Sequence, residues 1–595
     1  MGIKSSINPL RIVFLKTEQQ CILYEKTHRR GQDLIIPLGP SAIFFAEKNE
    51  WLFENISNLF SKENYKSEAK KSKKIIDELL EKLNRYSDEY SSNFSLEIGN
   101  YYAFRLWLFI GQIHYNFFVL DSLAKKFGKV DILLFTKTLS KDENRKFTSN
   151  RSHWNVNVLD DELFHQLILK VKFLFKDVEI ICNFEKNNTN SIRDYAVNNF
   201  STNKMIFFRR IRDQYKLNTF RQGGRRILLV GAGYDWFNIA KKDKFFRKFK
   251  IEFLSQPRKL KKTVVNKEIE FMLHNSVLKD GICIYDLSNI AKMISTDLEL
   301  FSSQFSVISK KIKKYEAVIS SALSEPWDNF IAHLFKTNNL PVLIWQHGEK
   351  GQTIDVTSKH TETQYATDYL CYGDKVKNIY NQLAELGSSF NVHVVGSLGK
   401  NIEREEGDYI LYATGKWIGI STPFLALYDP DKRLYDTQME ILNYLDKLPT
   451  KNRIIFKANN TRCANESKSF DNYTNINFIY SGSFSNLIKK AKVIILDTPA
   501  TTLVEACSTN IPIFVVGGRS IYLDDFLSDI KERVVWCDNS EELVYKLNQY
   551  VKNSDYPADI SSNKYISGYV GKNSETQVIN SVIGVLEKAI NRVSE

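Results

Sequence analysis

Three stretches of this sequence combine residue types that move protons or hold phosphate. In WQHGEKG, beginning at Trp345, an apolar run (PVLIW) gives way to Gln346, His347 and Gly348, where a buried strand would exit into a loop. Gly348 and Gly351 permit a tight turn with the backbone close to a ligand. An imidazole titrates near neutrality, so His347 is a candidate general base for an acceptor hydroxyl or a contact for a phosphate. Glu349 is a second candidate carboxylate. A lone histidine is more often a satisfied structural group; the strand-exit position and the two glycines favour the chemical role.

The second stretch, VIILDTPATTLVEACSTNIPIFVV from Val493 to Val516, has an apolar run ending at Asp497 and a loop, Thr498 to Thr502, that opens a helix near Thr501. Unpaired N–H groups at such a start, with the hydroxyls of Thr498, Thr501 and Thr502, predict an anion site for a nucleotide phosphate. Glu505 follows about one turn on, in reach of ribose hydroxyls. Upstream, RIIFKANN ends a strand on Lys457, which can pair with a phosphate. The plainer alternative makes Thr501 an ordinary helix cap and Glu505 a carboxylate favouring the helix start.

The third stretch, RILLVGAGYDW, places Gly231 and Gly233 after a strand, with Asp235 as a further carboxylate. Trp236 stands where a dinucleotide fingerprint needs glycine or alanine, which argues against NAD. SALSEPWDNF offers a similar loop with Glu325 and Asp328. No GxSxG, Walker A or HExxH pattern occurs, so hydrolase, kinase and metalloenzyme readings lose their main support. Neither a metal nor a separate cofactor is expected.

These loops need rigid elements behind them. From about residue 129 the chain alternates short apolar runs (VDILLF, VEIICNF, RILLVGAG, ICIYDL, EAVISSA, PVLIWQHG, DYLCYG, VHVVGSLG) with helical stretches. Runs of four to eight residues without clean alternation suit strands buried on both faces of a parallel sheet. A charged loop, GKNIEREEGD, precedes a second series: YILYAT, RIIFKAN, INFIYS, KVIILDT, IPIFVVG and RVVWC. The fold class is therefore α/β and doubly wound, with two sequential Rossmann-like halves whose ligands lie beyond the strands' carboxyl ends. The expected divisions are a mixed N-terminal region at 1–128, Rossmann-like units at 129–400 and 401–556, and a C-terminal helical segment at 557–595.

At 595 residues, 43% hydrophobic and 25% charged, the chain has the composition of a globular protein of two or three domains. Seven scattered cysteines without CxxC spacing predict buried thiols in a reducing compartment. The start shows no signal peptide. The one membrane-length run, Tyr101 to Leu120, is interrupted by Arg105, Gln112, His114 and Asn116. Each ionisable group there would cost about 3 kcal/mol at mid-bilayer, so a buried or interfacial helix of a soluble, cytoplasmic protein is expected. The net charge of +13 concentrates between Lys204 and Lys262. That basic stretch fits an anionic membrane face, a phosphorylated substrate or a solvated surface. Nucleic acid is not an expected partner, because no helix-turn-helix, zinc-finger or RNP signature accompanies the charge.

The QHG loop, the glycine after it, then His360 and Glu362, then ATDYLCYG, together with RIIFKANN and LDTPATT, resemble bacterial capsule and surface-carbohydrate transferases. That group includes CMP-Kdo and sialic acid transferases and CDP-glycerol polyol-phosphate transferases. The resemblance spans about residues 310–530. It departs from the group at Ala458, Asn459 and Asn460, where Pro-His-Pro is common. It implies the GT-B fold, two Rossmann-like domains across a cleft, with 129–400 on the acceptor side and 401–556 holding the donor nucleotide. The implied activity is metal-independent transfer of a sugar from a nucleotide-activated donor, such as a CMP-activated acidic sugar. The implied acceptor is a growing glycan, as in capsule or O-antigen (lipopolysaccharide), or a lipid-linked one at the inner face of the membrane. A CDP-polyol phosphotransferase and a non-catalytic scaffold of the same fold are the alternatives.

Overall fold

The computed structural model describes residues 11–136 and 164–593, apart from internal stretches of which the longer are 183–223, 255–263, 399–404, 416–430 and 459–472. Glu349 is among the residues not described.

Three parallel sheets form the framework. The first has four strands, β1 (Arg11–Leu15), β2 (Asp33–Pro37), β3 (Asp131–Thr136) and β4 (Asp177–Cys182), in the order β2-β1-β3-β4. The N-terminal region therefore has a parallel sheet of its own. It takes in VDILLF and VEIICN, which the sequence division placed in the next unit. The reason is register: Arg11 to Phe14 pair with Asp131 to Leu134, so a strand beyond residue 128 completes the sheet begun by β1. Arg11 at its amino edge is buried against Asp33, Nη2 to Oδ2 2.7 Å, and Asp33 also accepts the Tyr24 hydroxyl at 2.7 Å.

The second sheet comprises β5 (Arg225–Leu229), β6 (Phe249–Phe253), β9 (Ala317–Ser320), β10 (Val342–Trp345), β11 (Asp368–Cys371) and β12 (Asn391–Val394), in the order β12-β11-β10-β9-β5-β6. A two-stranded hairpin, β7 (Leu278–Lys279) and β8 (Ile282–Cys283), lies apart from it. The third sheet comprises β13 (Tyr409–Ala413), β14 (Arg453–Lys457), β15 (Ile476–Ile479), β16 (Ala491–Leu496), β17 (Ile513–Val516) and β18 (Val535–Cys537), ordered β15-β14-β13-β16-β17-β18. Counted within its unit this is 3-2-1-4-5-6, the Rossmann order. Central strands are buried along their whole length (β9, β10, β11, β13 and β17), whereas the edge strands β6, β12 and β15 are partly exposed. Continuous apolar runs are what a strand covered on both faces requires.

Two long helices, Lys62–Tyr90 and Ile98–Phe127, pack along each other. The first buries Ile76, Leu79, Leu80 and Leu83, the stripe its sequence periodicity marks out. The second contains the membrane-length run, and Gln112, His114 and Asn116 are each no more than 4% exposed inside protein. Among the described residues no helix is long and apolar enough to cross a membrane. Cys21, Cys371, Cys507 and Cys537 are buried free thiols, and burial, the largest influence on each, pushes them up to about 12.

The chain ends by crossing back. The final helix, Glu575–Asn591, buries Val578, Val582 and Leu586 in the core that contains Trp236 and Trp345 of the second sheet's unit. Arg592 then donates to Asp368 at the start of β11, Nη2 to Oδ1 2.5 Å. The C-terminal segment thus belongs structurally to the second sheet, although the third precedes it in sequence.

Candidate functional site at the facing carboxyl edges

In an open α/β sheet the strand order reverses at one point, and the loops leaving the two strands there diverge to leave a crevice. In the second sheet that point lies between β5 and β9. Its loops are Val230–Asp235 and Ser321–Glu325, two of the stretches singled out in the sequence. They meet closely. Gly231 has φ +60°, and a Cβ there would sit 2.3 Å from the Ala322 carbonyl oxygen and 3.3 Å from Asp328 Oδ2, so only glycine fits. Gly233 is packed against Leu229 and Phe237. Glu325 is drawn into an ion pair with Arg105 of helix Ile98–Phe127, which ties this loop to the N-terminal region.

The exit of β10 carries the QHG residues. Gln346 is buried: its backbone N–H donates to Leu370 O at 2.8 Å, its Oε1 accepts the Tyr372 N–H at 2.9 Å, and its Nε2 donates to Gly348 O at 3.1 Å. Gln346 therefore fixes the turn and is not presented to a substrate. His347 is exposed beyond it. The Asp235 carboxylate accepts the Tyr372 hydroxyl at 2.7 Å. Burial pushes the Asp235 carboxyl above its usual range, opposed by that hydrogen bond and by its electrostatic interaction with His347. Asp235 and His347, chosen from stretches more than a hundred residues apart, are thus electrostatic neighbours. Lys350, on the same loop, is ion-paired with the buried Glu362 at 2.9 Å, and Glu362 also accepts the hydroxyls of Tyr369 (2.7 Å) and Tyr380 (2.8 Å). His360 is likewise buried, and burial lowers its pKa. Nothing in the sequence around Tyr372 and Lys350 marks them out for a role. Parallel pairing of Trp345 with Leu370 aligns the exits of β10 and β11, and that alignment is the signal that brings Gln346 to Tyr372.

In the third sheet the order reverses between β13 and β16. The two exits are Thr414–Gly415 and Asp497–Thr498. Asp497, only 2% exposed, gathers the crevice around itself. Its Oδ1 accepts Gly415 N–H at 2.6 Å, and its Oδ2 accepts the hydroxyls of Thr414 (2.6 Å) and Tyr412 (2.8 Å) and Gln438 Nε2 (3.0 Å). A buried carboxylate needs such donors, and they come from β13, the loop after it and a helix. Thr498 Oγ1 is buried with no hydrogen-bond partner among the described residues. The helix begins at Thr501, as the sequence indicates, but its cap is Ala500 and it runs only to Cys507. Thr501 is exposed and Thr502 half-buried. Glu505 Oε2 accepts the Ser485 hydroxyl at 2.6 Å, anchoring the neighbouring loop after β15. Lys457 is buried at the end of β14, donating Nζ to Ala458 O at 2.8 Å, and burial lowers its pKa.

The carboxyl edges of the second and third sheets face each other. Gly348, at φ +68°, would place a Cβ 3.4 Å from Thr501 Oγ1, so the QHG turn touches the first residue of the TPATT helix. Beyond it, Gln352 O accepts Leu523 N–H at 3.0 Å, Thr353 bridges to Tyr522, and Gln352 Nε2 donates to Tyr565 at 2.7 Å. Two Rossmann-like units thus meet at their carboxyl edges, the GT-B arrangement.

Several cations in the described part of the basic stretch are engaged within the molecule. Lys242 and Lys248 pair with Glu575 and Glu587 of the final helix, the second at 2.6 Å, and Arg226 pairs with Glu252 at 2.6 Å. Residues 204–223 and 255–262 lie outside the described residues.

Among solved structures, UDP-GlcNAc 2-epimerase from Neisseria meningitidis bound to UDP-GlcNAc is similar at 14% identity, over 61% of this chain and all of that one, with a TM-score of 0.37. MurG of Acinetobacter baumannii matches at 14% identity, 61% and 100% coverage and TM-score 0.35, and a glycosyltransferase from Rickettsia africae at 11%, 62% and 99%, and 0.35. Likeness this distant carries no functional weight. No curated protein matches the chain. The sequence profile of the LIC12162 family transferases matches residues 49–519, well over half of the sequence, and the chain belongs to that family of transferases.

Proposed function

We propose that the protein is a glycosyltransferase that takes a sugar from a nucleotide-activated donor and passes it to a surface glycan acceptor, without a metal. The observation that carries this is the meeting of the two units at their carboxyl edges, with the QHG turn at Gly348 against Thr501. The third sheet takes the nucleotide. Thr498, Thr501 and Thr502 with Lys457 neutralise its phosphate, and Glu505, already a hydrogen-bond acceptor for Ser485, turns to ribose hydroxyls. The second sheet takes the acceptor, whose hydroxyl loses its proton to His347 as the glycosidic bond forms and the nucleotide leaves. Asp235, held by Tyr372, stabilises the resulting imidazolium. A CMP-activated acidic sugar is the favoured donor, and a capsule-type or lipid-linked glycan the favoured acceptor, both from the resemblance of the QHG and LDTPATT segments.

The test is release of free nucleotide from a panel of nucleotide sugars in the presence of oligosaccharide acceptors. One donor should be consumed, and His347→Ala should slow the reaction by about 10²–10⁴-fold, the usual worth of a general base. Release that His347→Ala leaves unchanged would remove His347 from the chemistry. A product that keeps a donor phosphate would identify a polyol-phosphate transferase instead.

A further inference from the structure

Away from the facing crevices, an open groove of about 690 Å³ runs between helices Lys62–Tyr90 and Ile98–Phe127. Its floor is aromatic: the rings of Phe60 and Phe118 lie 4.6 Å apart, with Phe117 alongside. Asn58, Asn64, Ser67 and Ser122 supply hydroxyls and amides to its walls. At its base the buried Ser72 hydroxyl lies 2.8 Å from His114 Nδ1, and His114 Nε2 lies 2.8 Å from Ser276 O. Burial pushes His114 down to about 4, so the ring is neutral, accepting from Ser72 and donating to Ser276, and the base of the groove carries no charge.

The rim is cationic. Lys71, Lys125, Lys126 and Lys279 line the groove against two carboxylates, Glu68 and Asp121. Lys71–Glu68 (2.5 Å) and Lys125–Asp121 (2.6 Å) are exposed pairs within single helices, which contribute little and yield readily to a stronger anion. Lys126 reaches Glu54 at 2.7 Å, and Lys279 stands 5.8 Å over the Phe117 ring.

Aromatic faces suit the C–H face of a pyranose, hydroxyl and amide side chains suit its hydroxyls, and a lysine rim suits carboxylates along a polymer. A lipid chain would need walls without the asparagines and serines, and inorganic phosphate would gain nothing from the phenyl floor. We infer that this groove binds an anionic oligosaccharide. Its place in the molecule gives that binding a use, which rests on the transferase reading. The helix that forms one wall also carries Arg105, paired with Glu325 at the exit of β9. Arg105 and Phe117, twelve positions apart, are separated by about 18 Å along the helix, so a chain of several sugars is needed to occupy groove and crevice together.

Calorimetric titration of the full chain tests this with tetragalacturonate, maltotetraose, inorganic phosphate and phosphatidylglycerol vesicles. Tetragalacturonate should bind saturably and more tightly than maltotetraose. The double variant Lys71→Glu/Lys125→Glu, at side chains 65% and 75% exposed, should weaken it at least tenfold. Ser122→Trp, which fills the groove without changing charge, should do the same. Both variants should keep the wild-type thermal response to nucleotide, so that loss of the groove is distinguishable from failure of the transferase reading. Equal affinity in both variants, an equal response to inorganic phosphate, or a response to vesicles alone would overturn the assignment.

Discussion

At the scale of single residues, the site is organised by side chains that hold others in place. Gln346 locks the turn that presents His347, and Tyr372 is tied to both, through its backbone N–H to Gln346 and through its hydroxyl to Asp235. That hydroxyl favours the ionised carboxylate. Removing it in Tyr372→Phe raises the Asp235 pKa further, and a hydrogen bond to a charged group is worth about one pH unit or somewhat more. The acid limb of the kcat/KM profile should therefore move to higher pH in Tyr372→Phe, with little change on the plateau; an unmoved limb would detach Asp235 from the reaction. The strand-exit placement of His347, Asp235 and Thr501 was legible in the sequence because each lies just past an apolar run. The partner of Glu325 was not legible: a carboxylate at a strand exit is equally suited to an ion pair with another layer, and Arg105 lies some 220 residues away in the chain. Asp497 was visible only as the end of a strand, since its donors belong to β13, the loop after it and a helix.

Secondary-structure elements were the most readable level. The apolar runs in both series became parallel strands, since runs buried on two faces need no partner to be recognised; the exception is ICIYDL, of which only Ile282–Cys283 is a strand, partly exposed in the antiparallel hairpin apart from the sheets. Pairing was less legible. The runs VDILLF and VEIICN look like the others, and only register shows that they join β1 and β2. At that sheet's own switch point, between β1 and β3, Gln20 fills the space: its Oε1 accepts Lys16 N–H at 2.7 Å and its Nε2 donates to Phe135 O at 3.2 Å. The final helix illustrates the same limit. Its amphipathic pattern predicts burial but not the sheet it covers, which Arg592 and Asp368 settle. Asp368 is fully buried. Burial alone would raise its pKa, but His393, Arg592 and Thr367 outweigh that and depress it. A depressed carboxylate contributes stability that is present above its unfolded pKa of about 3.9 and is lost as pH falls through the folded value. Arg592→Ala should thus lower Tm at pH 7, and the difference from wild type should shrink below about pH 4. A difference independent of pH would assign the loss to packing instead.

At the scale of the whole molecule, three sheets are arranged so that two crevices share one boundary. The final helix returns to the second sheet, and the N-terminal sheet's helix Pro40–Lys48 places Ile43 in the core of the third. The N-terminal region, which the sequence left without a role, is therefore packed against both Rossmann-like units, through Ile43 on one side and the Arg105–Glu325 pair on the other. Such an arrangement holds the QHG turn against Thr501, and on the proposed reading a donor bound between them would be stabilised by both units. The most direct measurement is the thermal stability of the full chain with CMP, CDP, UDP, GDP or NAD. A ligand at about a hundred times its dissociation constant adds about 2.7 kcal/mol, enough to raise Tm by a few degrees. One of the pyrimidine or guanine nucleotides should do so, and Glu505→Ala should abolish the rise. No rise with any nucleotide, a rise with NAD alone, or an undiminished rise in Glu505→Ala would contradict a nucleotide held between the two units.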